Sequence, residues 1–473
     1  MATFSIENFG CRATQADAAA IERQLLNKGY GYDRAHENAD VVVLNTCTVT
    51  AAADTQARQA IREIHRINPA ARIIVTGCYA QRAPEELAAL DGVTIVVGNS
   101  HQAEIPGLVE EMVSPGRPAA PAACDLFPLA RLDPEPFSLA RGPAKILTGN
   151  IFEESTVPYG AVDGKEGERT RPTLKIQDGC NNRCSYCVIP FVRGRSRSLP
   201  PDTVLAEVGR LVRCGAKEIV LSGINLGSYG RDLGPQVELQ VVVHRILEET
   251  TLERLRFSSI EPMDVTQDFI ELVASSERIG PHFHIPLQSG SDRILRAMHR
   301  WYRTEHYARR VELIRERVPD AAIGADVIAG FPGETEKDFE ATLDFIKALP
   351  FTYLHVFSFS RRPGTRAEKL EGEIPHAMIR DRARRLRSLA AGKSALFRAS
   401  QAGRTLRGLT LHRSGEGWTE ALTGNYLKVR IAGKWPANLW FDVRLTADAQ
   451  EPVVPMSLFP PPRGLTACSS GDS

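Results

Sequence analysis

The sequence predicts an α/β protein in three folded parts: a flavodoxin-like doubly wound domain, a central domain of six βα units, and a small terminal β-barrel. Three observations carry this reading. Apolar runs and helical stripes alternate from residue 1 to about 113, the pattern of a parallel sheet covered on both faces. The alternation stops in a Pro/Ala-rich stretch, Ser114–Ala123, and resumes at Thr173. Past residue 401 the period shortens to two in several brief segments, as strands require. The expected parts are residues 1–113, a linker over 114–170, then 171–400 and 401–447, and a disordered Pro- and Ser-rich tail over 448–473.

In the first part, Phe4 and Ile6 alternate with polar neighbours as a strand does, and Ala19, Ile21, Leu25 and Leu26 stripe a helix over about 15–27. Val41–Leu44, Ile73–Val75 and Thr94–Val97 are apolar runs typical of strands buried on both faces, with helices expected near 51–68 and 84–90. Cys11 follows the first strand, Cys47 ends the second and Cys78 ends the third. Such positions share the edge outside the carboxyl ends of an open parallel sheet. Three thiols distant in sequence thus converge as candidate metal ligands. Taken singly, each could equally be a small buried hydrophobe.

The central part opens with Thr173–Ile176, a short strand broken at Asp178-Gly179 just before Cys180-Asn181-Asn182-Arg183-Cys184-Ser185-Tyr186-Cys187. Thiolates hold iron–sulfur clusters. Three of them in a C-x3-C-x2-C run, with no fourth Cys or His in the next dozen residues, leave one iron with open positions. A zinc knuckle or a disulfide is the plainer alternative. Further strands are expected at Glu218–Gly223, Arg254–Ser259, His282–Ile285, Ile323–Ile328 and Tyr353–Phe357. Polar residues gather at their carboxyl ends, the catalytic face of a barrel: Ser222, Gly223 and Asn225, then Ser259 and Glu261, then Gln288, with Asp326 on the fifth strand. A single serine there could merely cap the next helix; several clusters on one rim argue for a site. Gly330-Phe331-Pro332-Gly333 lacks the Gly-Lys-Ser/Thr ending of a phosphate loop. Cys214, before Gly215, is expected at a helix end and inert.

A long helix is expected from about His376 to Ala399, striped by Ile379, Leu386, Leu389, Leu396 and Phe397. From His376 to Arg413 ten Lys or Arg face one acid, Asp381. A solvated helix face is the ordinary reading of such a run and a nucleic-acid footprint the sharper one. Leu406–Leu411, Trp418–Leu422, Tyr426–Ile431 and Leu439–Leu445 supply strands of the terminal barrel. Cys124 in the linker and Cys468 in the tail have no companion at ligand spacing.

Over 473 residues, 43% apolar and 24% charged content describe a globular chain, and a net charge of +1 means that any nucleic-acid contact must be local. No apolar run approaches ~18 residues and no basic-then-apolar leader opens the chain; a cytoplasmic protein without a membrane span is expected. In that compartment nine cysteines read as cluster or metal ligands rather than disulfides.

The Cys180/Cys184/Cys187 stretch resembles that of the radical S-adenosylmethionine (SAM) enzymes. Asn8–Cys11, Asn45–Val49 and Val75–Gln81 look like the N-terminal domain of the methylthiotransferases within that superfamily, with Phe9 and Arg12 departures that touch no ligand. Residues 401–447, with Gly424-Asn425-Tyr426, resemble the appended RNA-binding TRAM barrel, and the likeness spans about residues 1–445. It implies a partial (β/α)6 radical SAM barrel, open on one side for a large substrate. It implies two [4Fe-4S] clusters, one on Cys180, Cys184 and Cys187 and an auxiliary, sulfur-carrying one on Cys11, Cys47 and Cys78. SAM would lie at the open iron, near Tyr186, Ser222, Gly223, Asn225, Ser259, Glu261, Gln288 and Asp326. The resemblance further implies that one SAM supplies the methyl group of a methylthio unit and a second the adenosyl radical that activates C2 of an adenine. The implied partners are tRNA, at adenosine 37 of the anticodon loop, and an electron donor such as flavodoxin or ferredoxin, with no DNA and no membrane.

Three family substrates compete: N6-threonylcarbamoyladenosine and N6-isopentenyladenosine at tRNA position 37, and an aspartate of a ribosomal protein. Glu218–Gly230, Leu255–Pro262 and His355–Ser358 look most like the threonylcarbamoyladenosine type, with Arg303, Arg361 and Arg362 as candidates to meet its carboxylate. Rivals from other classes are a radical SAM enzyme with structural N-terminal thiols and a zinc-stapled RNA-binding adaptor.

Overall fold

The computed structural model describes residues 2–113, 143–159, 170–448 and 452–459. They fall into two compact units, Met1–Thr48 with Ala52–Glu154, and Val49–Ala51 with Ser155–Ser473. The Ser114–Ala123 linker, Cys124 and Cys468 lie outside the described residues.

The first unit is a sheet of β1 (Thr3–Asn8), β2 (Gly31–Tyr32), β3 (Val41–Thr46), β4 (Arg72–Gly77), β5 (Val93–Val97) and β6 (Lys145–Leu147). Its order is β2-β1-β3-β4-β5-β6 and every pair is parallel, the flavodoxin-like order with one strand added. Alternate residues divide the core. Val41 and Val43 pack with α1 (Arg12–Asn27) and α5 (Ile105–Val113) on one face. Val42 and Leu44 pack with α2 (Ala51–Ile67), α3 (Cys78–Arg82) and α4 (Pro84–Ala88) on the other. Neither β2 nor β6 shows in the apolar pattern, because each is a short edge strand without fully buried positions. β6 lies in the stretch read as linker, where it pairs Lys145–Leu147 with Ile95–Val97.

In the second unit β7 (Thr173–Asp178), β9 (Glu218–Gly223) and β10 (Arg254–Phe257) are parallel, as are β11 (His282–His284), β12 (Ala322–Ala329) and β13 (Tyr353–Ser358). Single bridges, Leu255 to Ile279 and Ser259 to His284, join the two groups. The six expected strands are thus present in chain order. The outer edge of β7 is taken by an antiparallel pair of residues, β8 (Arg197–Ser198), and among the described residues β13 pairs only with β12. The barrel is therefore partial. Its helices are α6 (Ile189–Arg193), α7 (Pro201–Arg213), α8 (Leu239–Glu249), α9 (Gln267–Ser275), α10 (Asp292–Ala297), α11 (Thr304–Arg317), α12 (Glu336–Ala348) and α13 (His376–Ser400). Cys214 caps the carboxyl end of α7, as expected.

β14 (Thr405–Gly415), β15 (Trp418–Thr423), β16 (Lys428–Ala432), β17 (Trp440–Arg444) and β18 (Pro455–Phe459) form an antiparallel sheet in the order β16-β15-β14-β17-β18. One parallel bridge, Ile431 to Val453, draws the lead-in of β18 towards β16, so the sheet curls into a half-barrel rather than a closed one. β18 corrects the reading of this stretch as disordered tail. Val453 is buried, and the strand sits at an edge where a leading proline costs no ladder bond. The turn after β15 docks on the amino end of the barrel. Arg256 donates to the carbonyls of Thr423 (3.3 Å) and Gly424 (3.0 Å), and the Tyr426 ring stacks on His282 at 4.1 Å.

Part of the charge on α13 and β14 is paired within the unit, while Arg380, Arg387 and Arg413 are exposed. Arg382 pairs with Glu334 (2.8 Å) and Glu336 (3.0 Å), and Arg385 with Glu336 (3.0 Å) and Glu340. Arg384 pairs with Asp381, Arg404 with Asp320 and Arg407 with Glu253. Lys393 donates to the carbonyls of Lys347 and Leu349. Apart from Asp381, these acids sit on α12 and on loops distant in sequence, so a local charge count does not see them.

Candidate active site

The end of β7 is fixed by a buried polar knot. Burial alone would raise the Asp178 carboxyl; Arg193 (3.0 Å), Lys175 (2.7 Å) and Arg197 outweigh it and hold it well below the usual carboxylate range. Asp178 also accepts the Gly179 amide at 2.8 Å. Gln177 donates to the carbonyls of Asp178 and Gly179 and to Ser196, and accepts the Asn225 amide at 2.8 Å. Gly179 has φ +70°, and a Cβ there would lie 1.9 Å from the Arg195 carbonyl oxygen. Gly179→Ala is expected to displace the loop, lose about 1–2 kcal/mol, and cost the protein the iron held by Cys180, Cys184 and Cys187. Iron content of the purified variant is the check.

The cysteine loop is pinned from several sides. Cys180 donates its amide to Gly194 (3.1 Å), Ser185 to Met298 (3.0 Å), and Ala367 to the Ser185 carbonyl (2.7 Å). Arg300, buried, donates to Cys184 Sγ at 3.2 Å, to the Tyr302 hydroxyl at 3.1 Å and to the Glu261 carboxylate. Burial lifts the Glu261 carboxyl above its ordinary value, with Arg300 pulling against it. Burial also pushes the Cys180 thiol up to about 11 and the Cys187 thiol up to about 12. All three cysteines are free of disulfides. Three free thiols on one short loop, with the Arg300 guanidinium against Cys184, fit an iron cluster, and these residues would hold it; bound there, it would supply one-electron reduction.

In the first unit, Cys11 follows β1, Cys47 follows β3 and Cys78 opens α3 directly after β4. A Cβ on Gly10 would lie 2.4 Å from Cys47 Cβ, so glycine lets the Cys11 turn close onto Cys47. Gly77, φ +99°, approaches the Thr46 carbonyl in the same way beside Cys78. Cys47 and Cys78 are buried and Cys11 is exposed. These three thiols could hold a second group of that type at the carboxyl edge of the sheet.

Residues 3–98 match the family described as Uncharacterized protein family UPF0004, and residues 174–346 match the Radical SAM superfamily. The threonylcarbamoyladenosine tRNA methylthiotransferase MtaB of Aquifex aeolicus is 37% identical over 430 residues, covering 91% of this chain and 96% of that protein. The chain belongs to the radical SAM tRNA methylthiotransferase family. MtaB of Bacillus subtilis is 37% identical, covering 82% of this chain and 80% of its own. The tRNA-2-methylthio-N(6)-dimethylallyladenosine synthase of Thermobifida fusca is 36% identical, covering 82% and 73%. In fold, the chain is similar to the radical SAM methyltransferase TsrM of Kitasatospora setae, solved with cobalamin and a [4Fe-4S] cluster: the TM-score is 0.54 at 18% identity, over 78% of this chain and 77% of that one. A methylthiotransferase of this family is a transferase that uses SAM and [4Fe-4S] clusters and acts on tRNA, which sets aside the zinc-stapled adaptor. No helix among the described residues is long and apolar enough to cross a membrane.

The remaining residues singled out in this methylthiotransferase sit as follows. Tyr186 packs beside Ile294, Met298 and Phe331. Ser222 and Asn225 are buried at the end of β9, where Gly223 gives room to the Gln177 amide. Ser259 is exposed and bridges to His284. Gln288, at φ +66°, exchanges backbone hydrogen bonds with Asp326 and Ile328. Asp326 lies inside β12, where His284 Nε2 (3.0 Å) and His355 Nδ1 (3.3 Å) both meet its Oδ1. Burial would raise this carboxyl; the two histidine bonds outweigh it and hold it below its ordinary range. The Tyr353 hydroxyl continues the chain to His284 Nδ1 (2.9 Å) and His282 Nε2 (2.7 Å). Asp326 is thus engaged by histidines, and hydrogen bonding accounts for the cluster without a cation. Of the arginines considered for the substrate carboxylate, Arg362 is buried, Arg303 donates to the carbonyls of Arg300 and Tyr302, and Arg361 is exposed.

Proposed function

We propose that this chain adds a methylthio group to C2 of N6-threonylcarbamoyladenosine at position 37 of tRNA. The reach of the likeness carries the reading: 37% identity over 91% of the chain and 96% of a relative named for that nucleoside, against 36% over 82% and 73% for one named for dimethylallyladenosine. Cys180, Cys184 and Cys187 would hold the cluster that reduces SAM, and Cys11, Cys47 and Cys78 the auxiliary cluster that bears the sulfur. When bound, these groups supply a carbon radical and a methylthio donor. The chain's own task is placement and exclusion of water. Arg300 sets a positive charge against Cys184 and anchors Glu261. Tyr186, Ser222, Gly223, Asn225, Ser259 and Gln288 would line the rim on which SAM rests. The partial barrel would leave a side entrance, into which an unpaired adenosine beside the anticodon could be splayed without opening a duplex. A reduced flavodoxin or ferredoxin would supply the electron.

Nucleoside analysis of tRNA from a host lacking the activity, with and without this chain, tests the substrate. The expected result is methylthiolated threonylcarbamoyladenosine only when the chain is present. Methylthiolated dimethylallyladenosine in its place would reassign the substrate.

A further inference from the structure

A second group of arginines surrounds the cysteine loop. Three segments hydrogen-bond that loop: Gly194 and Ser196 bond Cys180 and Asn181, Met298 and Arg300 bond Ser185 and Cys184, and Ala367 bonds Ser185. Residues 179–201, 293–304 and 359–367 carry four, four and three arginines; of these Arg193 and Arg197 pair with Asp178, Arg293 with Asp338, Arg300 with Glu261 and Arg361 with Glu373. Arg183, Arg195, Arg296 and Arg366 are exposed. Next to Arg300 stands Trp301, 77% exposed, the most exposed large hydrophobic side chain among the described residues.

That exposure is built into the local backbone. α10 ends with His299 donating its amide to Arg296 (3.0 Å) and Arg300 donating to Leu295 (2.9 Å), with His299 at φ +55°. This is a Schellman closure. It buries Arg300 against Cys184 and leaves the next residue, Trp301, in solvent. An indole held on a rigid turn is a stacking face for an unpaired base, and guanidinium forks match phosphate oxygens.

We propose that Trp301 is a stacking platform for an unpaired base of the tRNA anticodon loop, with Arg183, Arg195, Arg296 and Arg366 contacting the neighbouring phosphates. The proposal rests on the reading of position 37 as the target and names the surface that presents it. The chain has four tryptophans, so stacking can be read by fluorescence on the cluster-loaded protein. The probe is a synthetic anticodon stem-loop carrying threonylcarbamoyladenosine. Expected are quenching in wild type, loss of most of that quenching in Trp301→Phe with binding retained, and binding weaker by about tenfold or more in Trp301→Ala. Arg296→Ala and Arg366→Ala should each flatten the salt dependence of binding by about one ion. Iron content equal to wild type confirms that each variant is intact. Undiminished binding by Trp301→Ala, with quenching intact in Trp301→Phe, would overturn the platform and leave the tRNA reading standing. No binding of the stem-loop by wild type would overturn the anticodon-loop reading itself. Quenching of Trp301 by reduced flavodoxin but not by the stem-loop would give the surface to the electron donor and end the proposal.

Discussion

Replacing Cys180, Cys184 and Cys187 together with alanine is expected to leave about four of about eight irons and to abolish SAM cleavage. The reciprocal variant, with Cys11, Cys47 and Cys78 replaced, should also keep about four irons. It should still cleave SAM to 5′-deoxyadenosine but form no methylthiolated nucleoside. The independence of the two halves follows from the fold. The first set lies on the edge of a sheet with its own two-sided core. The second lies on a loop held by Asp178, Arg193 and Gln177, whose bonds run within the other unit. Neither core includes the other's supports, so emptying one site leaves the other folded. Iron and acid-labile sulfide on anaerobically reconstituted proteins make the test. A first variant that fell from about four irons to none would remove the auxiliary cluster, and with it the sulfur-insertion reading.

What could be read from the sequence was what is local or periodic. The cysteine spacing, the strand-end position of Cys11, Cys47 and Cys78, and all six barrel strands are patterns of neighbours. What escaped depends on distant parts of the chain. β6 and β18 are edge strands whose partners, not their composition, decide their state. Two of the arginines of α13, Arg382 and Arg385, are met by Glu334, Glu336 and Glu340, more than 40 residues upstream. Arg300 meets Cys184 across 116 residues, and no motif marks it. The column of His282, His284, Tyr353 and His355 left a fainter trace: two i, i+2 pairs, which on a strand share a face. That trace was available in His282-Phe283-His284 and Tyr353-Leu354-His355, and it needed only the barrel to turn both pairs inward.

Glu218→Gln is expected to destabilise the second unit by about 3–5 kcal/mol at pH 7, lowering its Tm by about 5–10 °C. Glu218 is completely buried at the start of β9 and meets Arg256 (2.9 Å), Arg171 (3.1 Å) and Arg254 (3.4 Å). Burial alone would raise its carboxyl, yet these three guanidinium groups bring it down from 4.5 to about 2, a displacement worth ~3 kcal/mol. Because the folded value lies below the unfolded one, this stabilisation is fully present above pH ~4.3 and drains away as pH falls through about 2. The gap between wild type and Glu218→Gln should therefore be constant at neutral pH and narrow in acid. Removing the carboxylate strands Arg254, whose guanidinium burial already pushes down to about 10, and loosens Arg256, which holds the carbonyls of Thr423 and Gly424. The damage should appear first in the docking of the terminal sheet that carries those carbonyls. Trypsin is expected to cut between α13 and β14 in the variant at a concentration that spares wild type. Iron on Cys180, Cys184 and Cys187, beyond the opposite end of β7, stays at the wild-type level. A loss under ~1 kcal/mol, within the range of an exposed pair, or an equal loss at pH 3 and pH 7, would show that Glu218 is not the clasp between the barrel and the terminal sheet.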